Sequence, residues 1–117
     1  MHADDCLFCK IVLGAEPSNR VLETNQFLII KNKFPKAPVH VLVLDKQHRR
    51  KSDTISGAYQ GENYWESMFD AINKALVKLG LDKTGYELVS NGAGYNHFEH
   101  EHFHIMGGYK DGIGPRT

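Results

Sequence analysis

The stretch His97-Phe98-Glu99-His100-Glu101-His102-Phe103-His104-Ile105-Met106-Gly107-Gly108 places four of the chain's seven histidines within eight residues. His100, His102 and His104 alternate strictly. On a β-strand, alternate residues point to one face, so this spacing sets three imidazoles in a row. On a helix the same spacing scatters them, and the stretch is therefore predicted to be a strand. Phe98 and Met106 share the histidine face, while Glu99, Glu101, Phe103 and Ile105 take the other. A carboxylate at Glu101 then requires either solvent or a cationic partner.

Working outward, Val39 to Leu44 is a second strong strand, its valines alternating against His40, Leu42 and Leu44. Before it, Lys33-Phe34-Pro35-Lys36-Ala37-Pro38 is a rigid loop, since each proline fixes φ and lacks a donor. Arg20 to Glu23 and Gln26 to Lys31 read as two strands around Thr24-Asn25, and Tyr86 to Ser90 as another before the tight loop Asn91-Gly92-Ala93-Gly94. Asp5 is a candidate cap for a short helix ending near Val12, with Gly14 as its stop. Trp65, Met68, Phe69, Ile72, Leu76 and Leu79 recur at helical spacing, which predicts one long amphipathic helix from Asn63 to Leu79 with Trp65 in the core. Arg49 to Glu62 is polar, and His48-Arg49-Arg50-Lys51 reads as a solvated basic face. The order α-β-β-β-α-β-β with short links predicts an α+β fold, with helices packed on an antiparallel sheet.

The chain has 117 residues, 41% of them hydrophobic, the size of one domain over residues 1–117. Fourteen basic residues balance fourteen acidic ones, so no net field favours nucleic acid as a partner. The acidic start Met1-His2-Ala3-Asp4-Asp5 lacks the basic segment of a signal peptide, and no apolar run reaches membrane-spanning length. A soluble, cytoplasmic protein without a membrane partner is expected. The two cysteines, Cys6 and Cys9, are spaced Cys-x-x-Cys, which suits a redox pair or half a metal site better than a structural disulfide.

His100-x-His102-x-His104-Ile105-Met106 resembles the signature of the histidine-triad (HIT) family, and the resemblance spans nearly the whole chain. Cys6-Leu7-Phe8-Cys9-Lys10-Ile11-Val12 with Gly14 and Pro17-Ser18 is similar to the opening of small bacterial members. Pro38-Val39-His40-Val41-Leu42-Val43 with His48 resembles the family's central strand and the histidine beyond it. Gly107-Gly108 is similar to the nucleoside phosphoramidase (Hint) branch, whereas Asn32 with Pro35 is closer to the dinucleoside polyphosphate branch, where such an asparagine contacts the sugar. The fold implied is a five-stranded antiparallel sheet with one short N-terminal helix and one long helix, commonly paired into a homodimer.

The activity implied is hydrolysis at the α-phosphorus of a purine nucleotide or nucleotide conjugate, with nucleoside phosphoramidates as the main substrates. In this scheme His102 is the nucleophile and becomes nucleotidylated, His104 binds a phosphoryl oxygen, and His40 approaches the phosphate from the neighbouring strand. No cofactor is required for the catalysis. Two thiolates and two imidazoles, Cys6, Cys9, His48 and His100, are a normal tetrahedral set for structural zinc, and some bacterial members carry zinc at equivalent positions. The family's glutamine and serine near the phosphates are replaced here by Asn96, a shorter donor, and His97, a candidate acid for the leaving group. Its usual apolar residue inside the triad is replaced by Glu101. Phe27, Leu28, Ile29 and Ile30 are candidate pocket walls for a purine, with Phe27 foremost. The alternatives are a dinucleoside polyphosphate hydrolase or phosphorylase, and a non-catalytic, zinc-stabilised nucleotide-binding interaction module.

Overall fold

The computed structural model describes residues 6–57, 63–96 and 98–109. In chain order these form α1 (Leu7–Leu13), β1 (Arg20–Glu23), β2 (Phe27–Lys31), β3 (Val39–Asp45), α2 (Lys51–Ser56), α3 (Tyr64–Lys78), α4 (Leu81–Thr84), β4 (Tyr86–Val89) and β5 (His102–Gly107). The expected α+β architecture is present: five antiparallel strands in the order β1-β2-β3-β5-β4. The central strand β3 pairs with β2 on one side and with β5 on the other, so His40 sits opposite Met106 and Leu42 opposite His104.

Local chemistry explains the element ends. Cys6 Sγ accepts the Cys9 amide at 3.3 Å and caps α1, and Gly14, at φ 82°, ends it by turning its N–H back to Ile11 and Lys10. Asp5, the expected cap, lies outside the described residues, as does the tail from residue 110. The β1–β2 turn needs no glycine, because the Thr24 amide donates to the Phe27 carbonyl at 2.8 Å and the Thr24 hydroxyl accepts the Phe27 amide at 3.1 Å.

The period-2 pattern divides the core between two faces. Phe27, Ile29, Val41, Val43 and Ile105 meet α3. Leu28, Ile30, Leu42 and Leu44 meet Phe8 and Ile11 of α1, on the face that carries the histidines. Among the described residues, no helix is long and apolar enough to cross a membrane.

Four expectations need correction. The buried stripe of α3 is Tyr64, Met68, Ala71, Ile72, Ala75 and Leu76, whereas Trp65 and Phe69 are 39% and 45% exposed. The alanines bring the helix close to the sheet and rotate the large rings outward, leaving Trp65 at the edge against Tyr64 and Phe103. The polar stretch after Arg49 contains the short helix α2, and α4 follows α3. The basic cluster is a solvated face only at Arg50: Arg49 pairs with the buried Asp45 at 3.0 Å, and Lys51 is buried against Glu101 at 2.5 Å. Finally, β5 begins only at His102, while His100 forms an isolated bridge with Arg50.

Candidate active site and metal centre

The three triad histidines do not form one row. Because His100 precedes the regular strand, its ring turns to α1 and joins Cys6, Cys9 and His48. The ligating atoms of these four all lie within 4.8 Å of one another. Cys6 Sγ is 3.3 Å and Cys9 Sγ 3.4 Å from His100 Nδ1, and Cys9 Sγ is 3.3 Å from His48 Nδ1. His100 Nε2 donates to the Asp45 carbonyl at 2.5 Å, which leaves Nδ1 as the free lone pair facing the thiols. A histidine anchored through its far nitrogen to a carbonyl is the usual arrangement of a metal ligand. The donor set and its compactness fit a tetrahedral metal ion such as zinc.

His102, His104 and His40 form the second cluster. Ring centroids of His102 and His104 are 5.2 Å apart, and those of His104 and His40 are 5.1 Å apart. Their protons are placed by the backbone. The Lys36 amide donates to His40 Nδ1 at 3.0 Å, so the proton of His40 is on Nε2, 2.9 Å from His104 Nδ1. His104 Nδ1 therefore accepts, and its own N–H is on Nε2. His102 Nδ1 donates to the His100 carbonyl at 2.8 Å, leaving its Nε2 lone pair unshared among the described residues. A lone pair thus stands beside an N–H donor, as attack on an anionic phosphorus centre requires.

Burial keeps these rings neutral. It is the main cause that pushes His104 down to about 4, assisted by the Lys36 and Lys51 charges and by the repulsion that protonating His104 together with His102 or His40 would bring. His102 and His40 are lowered in the same direction, again chiefly by burial, with the Lys36 charge adding to the effect on His40. Phe8 separates the two clusters, its ring edge-on to His100 at 5.8 Å and to His102 at 5.0 Å.

The remaining candidates divide. Asn32 Nδ2 lies 3.2 Å from His40 Nε2, at the edge of the histidine cluster nearest the β2–β3 loop. Asn96 turns its amide into its own loop, donating to the Phe98 carbonyl at 2.9 Å and accepting from the Gly94 amide at 3.3 Å. His97 lies outside the described residues. Phe27 is corrected: it is fully buried beneath α3, on the sheet face opposite the histidines, because odd-numbered residues of β2 point that way. Leu28 and Ile30 share the histidine face instead, in contact with α1. Sequence reasoning missed Phe8, the Lys36 amide and the Asp45 carbonyl. The two backbone groups carry no side-chain signal, and Phe8 had the aspect of ordinary core.

Residues 14–111 match the family model described as HIT domain. This chain belongs to the HIT family. An adenosine 5'-monophosphoramidase of Candida albicans, HNT1, is 30% identical over 113 residues, covering 90% of the chain and 70% of that protein. A histidine triad protein from Clostridium difficile superposes with a TM-score of 0.85 at 31% identity, covering all of both chains. A HIT family hydrolase from Clostridium thermocellum superposes with a TM-score of 0.80 at 30% identity, covering 97% of each chain. The HIT chain shares the fold of both structures.

Proposed function

We propose that this HIT protein hydrolyses purine nucleotidyl substrates, nucleoside phosphoramidates foremost, through a nucleotidyl-His102 intermediate. The observation that carries the reading is the tautomer of His102, whose Nδ1 proton is held by the His100 carbonyl while Nε2 is free. Nε2 would attack the α-phosphorus, forming a P–N bond as the bond to the leaving group breaks. The leaving group departs with a proton. Water then attacks the same phosphorus, the P–Nε2 bond breaks, and nucleoside monophosphate leaves with His102 restored. His104, its Nδ1 occupied by His40, would direct Nε2–H at a phosphoryl oxygen. His97 is proposed as the source of the leaving group's proton, and Asn96 as a phosphate-side donor if its loop opens on binding.

The phosphoramidase relative and the hydrolase neighbour support this class of chemistry. Asn32 beside His40 supports the alternative, a dinucleoside polyphosphate hydrolase or phosphorylase, through a contact to the sugar. Cys6, Cys9, His48 and His100 would hold structural zinc, fixing the segment that leads into His102. The reading also takes residues 1–117 as one domain, working in the cytoplasm as a homodimer.

The test is hydrolysis of adenosine 5'-phosphoramidate and, in parallel, diadenosine tetraphosphate by wild type and His102→Ala. Turnover abolished by the substitution is expected, and the better substrate selects the branch. Wild type that binds adenosine monophosphate but turns over neither compound would reduce the protein to a nucleotide-binding module.

A further inference from the structure

The residue inside the triad is the least expected one. Glu101 lies between His100 and His102 on the opposite side of the strand, and its side chain is fully buried. Its carboxylate is held by two groups of α2: Lys51 Nζ at 2.5 Å, and the Thr54 hydroxyl, which donates to the other oxygen. Lys51 is itself only 8% exposed. Its ammonium lies 4.3 Å from the centre of the Phe103 ring and donates to the Ser90 hydroxyl. Its stem runs beneath Gly92, where an added Cβ would come within 3.0 Å of Lys51 Cγ. One ion pair therefore joins α2, the start of β5 and the loop that follows β4.

The backbone of Glu101 is fixed as firmly. Its amide donates to the Arg49 carbonyl at 2.6 Å, and its carbonyl accepts the Asp45 amide at 3.2 Å. With backbone and side chain both held, the turn from His100 to His102 has one setting, the one in which the His100 carbonyl meets His102 Nδ1 at 2.8 Å.

We infer that the buried Lys51–Glu101 pair is a positioning unit for His102: by fixing residue 101 it keeps the Nδ1 proton on the His100 carbonyl and the Nε2 lone pair toward substrate. The inference rests on His102 being the nucleophile of the proposed reaction. Neither Lys51 nor Glu101 touches substrate in this scheme. A charged pair does this better than an apolar contact, because a small slip loses Coulomb energy that burial makes strong, and the Thr54 hydrogen bond to the other carboxylate oxygen is directional.

The test uses the double variant Lys51→Met/Glu101→Leu, which removes both charges at similar volume and leaves no unpaired ion to unfold the chain. Nitrogen-15 spectra of the His102 ring at pH 7.5, assigned with His102→Ala and recorded at matched metal content, report the tautomer. The double variant is expected to show a mixture of Nδ1–H and Nε2–H forms, with kcat lower by about 10- to 100-fold and KM nearly unchanged. A folded double variant with the wild-type ring spectrum overturns the inference. If wild type itself shows no turnover, the hydrolase reading fails, while the ring spectrum still decides this one.

Discussion

Replacing Asp45 by Asn changes no volume yet removes a buried charge that three groups share. The carboxylate accepts the Gln47 amide at 2.8 Å, the Tyr64 hydroxyl at 2.6 Å, and Arg49 Nη1 at 3.1 and 3.0 Å on its two oxygens. Its side chain is fully buried, whereas that of Arg49 is 20% exposed. Breaking a buried ion pair costs about 3–5 kcal/mol, and the partial access of water to Arg49 puts Asp45→Asn at the low end, about 3 kcal/mol. An asparagine amide would also set N–H against an Arg49 or Tyr64 donor, so the lost bonds cannot all be replaced. Tyr64→Phe removes one hydrogen bond to the same carboxylate and should cost less, about 1.5–3 kcal/mol. Urea unfolding at pH 7.5 measures both, with an unchanged slope confirming that the same surface unfolds. Zinc content should be untouched in Asp45→Asn, because the Asp45 backbone carbonyl, rather than its carboxylate, orients His100. A loss below about 1 kcal/mol for Asp45→Asn would refute the reasoning. So would a loss no greater than that of Tyr64→Phe.

The neutral histidines set a pH dependence. His104 in the folded protein sits at about 4 against an ordinary 6.5, so the unfolded chain binds the proton more readily. Its stabilising contribution is then complete above pH 6.5 and is lost as pH falls from 6.5 toward 4. His40 and His102, lowered in the same direction, steepen that decline. Urea midpoints between pH 8 and 4 check this, and a decline setting in above pH 7 would contradict it. For the metal centre, elemental analysis of protein refolded with zinc should find one ion per chain. Cys9→Ser should weaken binding by more than the ~10- to 100-fold that loss of an orienting partner costs. Stoichiometry near zero after remetallation would remove the zinc reading.

The fold was legible because its signals are periodic. The valines of β3 and the alternation in β5 define strands, and the spacing of Met68, Ile72 and Leu76 defines α3. The rotational phase of α3 is hidden in the sequence, because Trp65 and Phe69 outweigh Ala71 and Ala75 in any reckoning by hydrophobic size. The helix lies where its small residues allow close approach, and the rings remain at the rim. Lys51 and Glu101 were illegible as a pair. They are 50 residues apart, and each alone has the composition of a surface residue; only the bridge between Arg50 and His100 brings them together. The candidate metal tetrad was legible as four donors of two types, but its compactness depends on β3, α1 and the approach to β5 meeting in space.

The isolated bridge at His100 explains how one short motif serves two sites. In an antiparallel pair, facing residues either exchange both backbone hydrogen bonds or make none with each other. Arg50 and His100 are a pair of the second kind, since the flanking bonds run from the Lys51 amide to Glu99 and from the Glu101 amide to Arg49. The His100 carbonyl is thereby left out of the ladder and free to accept from His102 Nδ1. The residue at this local break in pairing turns Nδ1 to the thiols and its carbonyl to His102 Nδ1, which fixes the tautomer of the proposed nucleophile. The candidate metal centre and the proposed nucleophile are joined through a single residue, so a change in the position of His100 must be felt at both Cys6–Cys9–His48 and His102.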